Sequence, residues 1–308
     1  MKAVLIIFTL ILLNACGTDS NKPYSDTPTS GKVKVAVDET LVPLAGAQLD
    51  TFHALYRYAK ITSYIKPEDE IFRYLLNDSV KVIMSTRRLN KSEEDFFKAK
   101  HLIPVTTKVA IDALAIIVNK KNPDSLLTLH QLKSILTGEI SDWKNINPAV
   151  SSKKISFVFD QNGSSTVRYL RDSLMNGKSF PDYCFAAKSN KEVIDYIEQH
   201  EQAIGVIGVS WISDEDDSAV RGFLSRVKVV GIAESDNAPV SDYYKPYQGY
   251  IADKSYPLRR DIYLISREGR AGLGTGFVSF VAGDQGQRIV RLNGLLPATM
   301  PVRLIKTN

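Results

Sequence analysis

Ile155-Ser-Phe-Val-Phe-Asp-Gln-Asn-Gly-Ser-Ser-Thr166 decides the reading of this chain. Ile155 to Phe159 is a short apolar run of strand type, and Asp160 to Thr166 is a polar turn. From Val167 to Met175, Tyr169, Leu170 and Leu174 recur at helical spacing. A polar turn between a strand and a helix directs free backbone N–H groups, backed by the helix dipole, into the crevice at the carboxyl ends of the strands. Such a turn receives anions. Ser164, Ser165 and Thr166 add hydroxyl donors without adding charge, although each is equally a helix cap.

The same unit recurs on both sides. Val33 to Val37 alternates as a strand, Asp38-Glu39-Thr40 offers cap chemistry, and Leu44, Leu49, Phe52, Leu55 and Tyr56 mark a helix running to about Tyr58. Ile61 to Ile65 reads as a strand and Glu68 to Asn77 as a helix; Val80 to Met84 is a strand that ends at Ser85-Thr86-Arg87. Asp112 to Asn119 is a continuous apolar run suited to a buried strand, followed by a short helix, Leu129 to Leu136, stopping at Gly138. Beyond the central turn come a capped helix, Ser189 to Gln199, and a strand, Ala203 to Val209, whose two glycines suit close backbone approach. Val227 to Ile232, Tyr250 to Ala252 and Ile262 to Ile265 read as strands, and Gly272-Leu-Gly-Thr-Gly276 leads into one apolar helix, Phe277 to Leu292. The alternation means an α/β fold. Three of its turns carry hydroxyls at the anion-binding position: Thr40; Ser85 and Thr86; and Ser164 to Thr166.

The chain has 308 residues, 44% hydrophobic and 24% charged, with a formal charge of +5, which suits two globular domains and excludes disorder or a disulfide scaffold. No Lys/Arg cluster interleaved with aromatics points to nucleic acid. His53, His101, His130 and His200 have no triad-like setting, and Ser151-Ser-Lys-Lys154 lies in a polar loop with no apolar helix to hold the lysine. Asp214-Glu-Asp-Asp217 lacks the glycine and terminal glutamate of a calcium loop, and Gly272 to Gly276 lacks the lysine of a P-loop. No catalytic residue, metal or cofactor is therefore expected. Cys184 reads as a small buried hydrophobe.

Lys2, the apolar run Ala3 to Leu13, and Ala15 before Cys16 have signal-peptide proportions, the run being about half of the ~20 residues that span a bilayer. Leu13-Asn14-Ala15-Cys16 resembles the bacterial lipobox, which implies cleavage after residue 15 and a lipid on Cys16. Residues 16–30 then form a polar tether.

The central turn, Gly163-Ser-Ser-Thr166, resembles that of the phosphate ABC-transporter substrate-binding proteins. The similarity extends in order through the Asp112 to Asn119 strand, Leu132 to Trp143, Ile204 to Gly208, Tyr256 to Leu264, and Gly286-Gln287 with Gly294-Leu-Leu-Pro297. It implies a two-lobe type II periplasmic-binding-protein-like fold with the ligand in the cleft, one lobe being residues 31–111 plus 243–308 and the other 112–242. It further implies capture of inorganic phosphate for ABC permease subunits, by a monomer held at the bacterial cell envelope through its acyl anchor, without turnover. The alternatives are another oxyanion, or a sensing or adhesion role, on the same scaffold.

Carried over by position, the family's phosphate contacts fall on Thr40, Ser85, Gly163, Ser164, Ser165 and Thr166. Two departures stand out. The family's arginine and aspartate in the central turn are replaced by Asp160 and Asn162, and the aspartate usual after the serine of the second turn is replaced by Thr86, followed by Arg87 and Arg88. A guanidinium is the natural bidentate partner of a phosphate oxygen pair. Arg87 is therefore expected to supply the missing charge, with Asp160 as proton acceptor or as Arg87's partner. A carboxylate that accepts the proton of monohydrogen phosphate repels sulfate, which has none at neutral pH. Arg168 and Asp112 stay outside this core site.

Overall fold

The computed structural model describes residues 26–213 and 218–300; Cys16, the signal-like segment and the acidic run Asp214 to Asp217 lie outside them. In chain order the strands are β1 (Gly31–Asp38), β2 (Ala59–Lys66), β3 (Val82–Ser85), β4 (Val105–Asn119), β5 (Leu126–Thr128), β6 (Ser156–Phe159), β7 (Cys184–Ala186), β8 (Ala203–Gly208), β9 (Val227–Val229), β10 (Gly231–Ala233), β11 (Arg259–Ser266) and β12 (Leu296–Pro297). Helices alternate with them, as the sequence pattern requires.

The main sheet runs β2-β1-β3-β11-β4-β8-β6-β7, with β9 and β12 also on β4, and β5 pairs with β10 apart from it. β1 is parallel to β2 and β3, and β6 is parallel to β7 and β8. Between these two parallel sets stand β11 and β4, which pair antiparallel. β4 carries the chain across: up to Ala113 its partner is β11, and from Leu114 to Val118 its partner is β8. Ala113 to Val118 is an unbroken apolar run because it is buried throughout. The carboxyl ends of β1, β3 and β6 carry the three hydroxyl turns.

Local chemistry accounts for several boundaries. The Asp38 side chain caps a 3-10 turn, Glu39–Leu41, that leads into the helix Val42–Leu55. Thr128 and Gln131 form a reciprocal capping box on the helix Leu129–Thr137, which ends at Gly138 in the left-handed region, φ 88°. Gly272 to Gly276 packs backbone closely: a Cβ at Gly276 would stand 1.9 Å from the Pro28 carbonyl oxygen.

Four expectations are corrected. Tyr250 to Ala252 belongs to a short helix, Gln248–Ala252, with Ile251 buried, so packing overrides the β preference of its residues. Phe277 to Leu292 is two helices, Leu273–Ala282 and Asp284–Leu292, separated at Gly283, whose extended backbone breaks the helical ladder. Val227 to Ile232 is split between β9 and β10, which lie in different sheets. The helix after the central turn is α-helical only over Ser165–Tyr169 and widens to a π-helix over Leu170–Leu174. A further helix, Lys91–Ala99, closed by an Asn90/Glu93 capping box, escapes the pattern because it is short and mostly polar.

Candidate functional site

The first and third turns meet. Thr40 follows β1, and its backbone N–H and hydroxyl both donate to Asp38 Oδ1, at 2.8 and 2.6 Å. Ser165 opens the helix after β6, and its Oγ lies 3.1 Å from Thr40 Oγ1. Both residues are fully buried. Two glycines permit the approach. Gly163 takes φ +80°, where a Cβ would stand 2.7 Å from the Asp69 carboxylate, and a Cβ at Gly208 would stand 2.8 Å from the Thr40 carbonyl oxygen.

The cation at this junction is Arg260 of β11. Its Nη2 donates to Thr40 Oγ1 at 3.1 Å and its Nη1 to Ser165 Oγ at 3.0 Å. Its Nε donates to Asp112 Oδ2 at 2.8 Å, and the two residues are direct partners in the β11–β4 register. Both are buried, so neither charge is tolerable without the other. Desolvation lifts the Asp112 carboxyl above its usual range, against the pull of Arg260. Two hydroxyls from opposite sides of the sheet crossing thus flank one guanidinium, a donor set that fits a tetrahedral oxyanion.

The second turn is engaged differently. Ser85 Oγ, Thr86 N and Thr86 Oγ1 donate to Glu68 Oε1 at 3.0, 3.1 and 3.0 Å. Arg168 Nε donates to Glu68 Oε2, and Arg168 Nη2 to Thr86 Oγ1 at 2.8 Å. Burial alone would raise the Glu68 pKa; the charge and hydrogen bond of Arg168, with Arg87 adding, hold it below the ordinary range. Glu68 therefore occupies the donors that the sequence assigns to an external anion.

Arg87 is not brought to the Thr40–Ser165 junction or to Asp160. Its guanidinium forks onto Glu93 at 2.7 and 2.8 Å and lies 3.3 Å from the Phe72 ring centroid. Its Nε is 3.9 Å from Glu68 Oε2. Asp160 is enclosed by its own turn: Ser164 Oγ donates to Oδ1 at 2.5 Å, Thr166 Oγ1 to Oδ2 at 3.3 Å, and Asn190 Nδ2 to Oδ2 at 3.4 Å. Ser164 also caps the helix, accepting from Val167 N at 3.2 Å. Burial pushes the Asp160 carboxyl up to about 8, Asp38 and Glu39 adding to the effect. Burial likewise moves Glu39 to about 7 and Asp38 to about 6.

Arg260, Glu68 and Asn190 are the members that sequence reading missed. A signal existed for Arg260: Asp112 begins an otherwise apolar strand, and a buried carboxylate demands a cationic partner. Among the described residues, no group of three or more His, Cys, Asp or Glu side chains could hold a metal ion.

Residues 22–285 match the model of the PBP superfamily domain. The phosphate-binding protein PstS of Staphylococcus saprophyticus is 25% identical over 284 residues, covering 90% of this chain and 83% of that protein. PstS of Staphylococcus aureus strain USA300 is 22% identical over the same length, covering 90% and 81%. Among solved structures, one from Clostridium perfringens with bound phosphate, described as a phosphate ABC transporter substrate-binding protein, superposes with a TM-score of 0.73 at 20% identity, covering 87% of this chain and 100% of that one. An ABC-type phosphate transport receptor from Vibrio cholerae superposes at 0.64, also at 20% identity, covering 87% and 100%. With the family model spanning most of the chain and these folds superposing on it, the protein belongs to the PBP superfamily.

Proposed function

We propose that the protein captures inorganic phosphate and delivers it to an ABC permease, performing no chemistry of its own. The observation that carries this reading is Arg260, fixed by Asp112 and aimed at the Thr40 and Ser165 hydroxyls. Phosphate entering between those hydroxyls exchanges guanidinium contacts to neutral hydroxyl oxygens for contacts to an oxyanion, in which donor and acceptor are both charged. The names of the curated relatives point the same way.

In this reading residues 31–111 with 243–308 form one lobe and 112–242 the other, β4 and β11 providing the crossing. Gly163, Ser164 and Thr166 shape the third turn, while Ser85, Thr86 and Arg87 act through Glu68 and Glu93 as a wall. Asp160 is spent on its own turn. Among the described residues, two buried carboxylate oxygens beside the junction have no hydrogen-bond partner, Asp38 Oδ2 and Asp112 Oδ1; the first, on the carboxylate that anchors Thr40, is the acceptor we assign to the proton of monohydrogen phosphate. Lipid on Cys16 holds a monomer at the outer face of a bacterial membrane; among the described residues no helix is long and apolar enough to cross one.

The test is calorimetric titration of the full chain in mild detergent, first stripped of bound anion, with phosphate and then sulfate at neutral pH. Saturable phosphate binding with no sulfate response supports the reading. A folded protein silent toward phosphate overturns it and leaves the other-oxyanion alternative in its place.

A further inference from the structure

Next to the Arg260 junction lies a cavity of about 390 Å³. Its walls carry five arginines, Arg87, Arg88, Arg168, Arg259 and Arg260, and among the described lining residues one carboxylate, Asp261. Asp261 is itself neutralised by Lys108, whose Nζ lies 2.7 Å away, and it accepts from the Tyr263 hydroxyl at 2.9 Å. A single tetrahedral oxyanion cannot fill this volume, which falls within the range of sites for whole small molecules, about 300–1,000 Å³. Arg260 belongs both to the junction and to the cavity wall, so the two places share one guanidinium.

The arginines divide into two groups. Arg87, Arg168 and Arg260 are each paired, with Glu93, Glu68 and Asp112. Among the described residues Arg88 and Arg259 have no such carboxylate salt bridge and Arg259 Nε is buried with no hydrogen-bond partner; Arg88 stands 5.1 Å from the Tyr263 ring centroid. A buried donor left unsatisfied destabilises the folded state, and a ligand oxygen can satisfy it. Guanidinium forks match the paired oxygens of phosphoryl groups.

We propose that this cavity is a second phosphoryl subsite, so that the protein also takes condensed inorganic phosphate of pyrophosphate type, one phosphoryl at the Thr40–Ser165–Arg260 junction and the next against Arg259 and Arg88. Dense negative charge on few atoms suits Arg88 and Arg259, set beside three paired guanidiniums around a small space, better than a large organic anion does. The inference rests on the phosphate reading of the junction.

The test is calorimetry of the full chain in detergent with orthophosphate and with pyrophosphate, on the native protein, on Arg259→Gln and on Arg88→Gln, each confirmed as folded by its urea midpoint. Pyrophosphate binds the native protein and displaces orthophosphate. Each substitution weakens pyrophosphate tenfold or more and leaves orthophosphate within twofold. Orthophosphate binding without pyrophosphate binding overturns this inference alone, as does pyrophosphate binding that neither substitution changes. Failure of both anions overturns the phosphate reading with it. Equal weakening of both anions by the substitutions contradicts a separate second subsite.

Discussion

Thr40 Oγ1 and Ser165 Oγ, from turns 125 positions apart in the chain, lie 3.1 Å from one another with the Arg260 guanidinium donating to both. Two hydroxyls this close are held by what lies behind them. Asp38 anchors Thr40, the glycine at 163 lets the third turn fold back, and Asp112 fixes the arginine. Each of these supports makes a measurable demand.

Arg260→Gln removes the junction's cation and strands the buried Asp112 carboxyl. Phosphate affinity is expected to fall at least tenfold, since hydrogen bonds to charged groups contribute about 1.5–3 kcal/mol. Stability is expected to fall as well, by about 3–5 kcal/mol, the usual cost of breaking a buried ion pair from one side. Adding Asp112→Asn restores much of the stability and none of the binding. Urea unfolding and calorimetry on the single and double variants separate the two effects, and a double variant that regains affinity contradicts the role given to Arg260.

Glu68→Gln keeps an acceptor for Ser85 and Thr86 but ends the pairing with Arg168. The cleft loses a negative charge, so phosphate affinity is expected to rise while the urea midpoint falls. A loss of affinity in a folded variant would show that the carboxylate itself contacts the ligand.

From sequence alone Arg87 is the cation expected to meet phosphate, which puts Arg87→Ala above a change at Arg260, a residue that the sequence reading does not single out. With Arg87 forked onto Glu93 and lying on Phe72, the expected order is reversed: Arg87→Ala weakens phosphate binding less than Arg260→Gln does, and its main effect is on stability. Side-by-side titrations give the ranking, and an Arg87→Ala loss equal to that of Arg260→Gln rejects it.

The limits of sequence reading follow from what each feature depends on. The three hydroxyl turns were legible because strand, cap residue and helix are adjacent in the chain. The first and third converge as a glycine-permitted close approach allows. Arg260 was not legible, because its place beside Asp112 is a matter of register between two strands about 150 positions apart, which no local pattern encodes. Arg87 looked like the ligand's cation for a different, local reason: a capping-box glutamate six positions on, Glu93, claims its guanidinium, and that box was itself unrecognised. Tyr250 to Ala252 misled because three residues of β preference say little when packing decides.

Acidity adds a separate prediction. Asp38, Glu39 and Asp160 are raised to about 6, 7 and 8 by burial, whereas in the unfolded chain they ionise near their ordinary values, about 4. Between those limits the folded state keeps protons that the unfolded state releases, so their contribution is full in acid and is lost as pH rises through 6 to 8. The urea midpoint is expected to decline from pH 5 to pH 8.5, and Asp160→Asn to flatten the upper part of that decline. A midpoint that rises over the same interval would contradict the burial of these carboxyls.

The most direct measurement is a crystal structure of the protein with bound phosphate. The account predicts phosphate between the Thr40 and Ser165 hydroxyls, within hydrogen-bond distance of the Arg260 guanidinium, with Asp112 still paired to Arg260 and Arg87 still on Glu93. Phosphate held instead by Arg87 and Asp160, or bound away from Arg260, would contradict it.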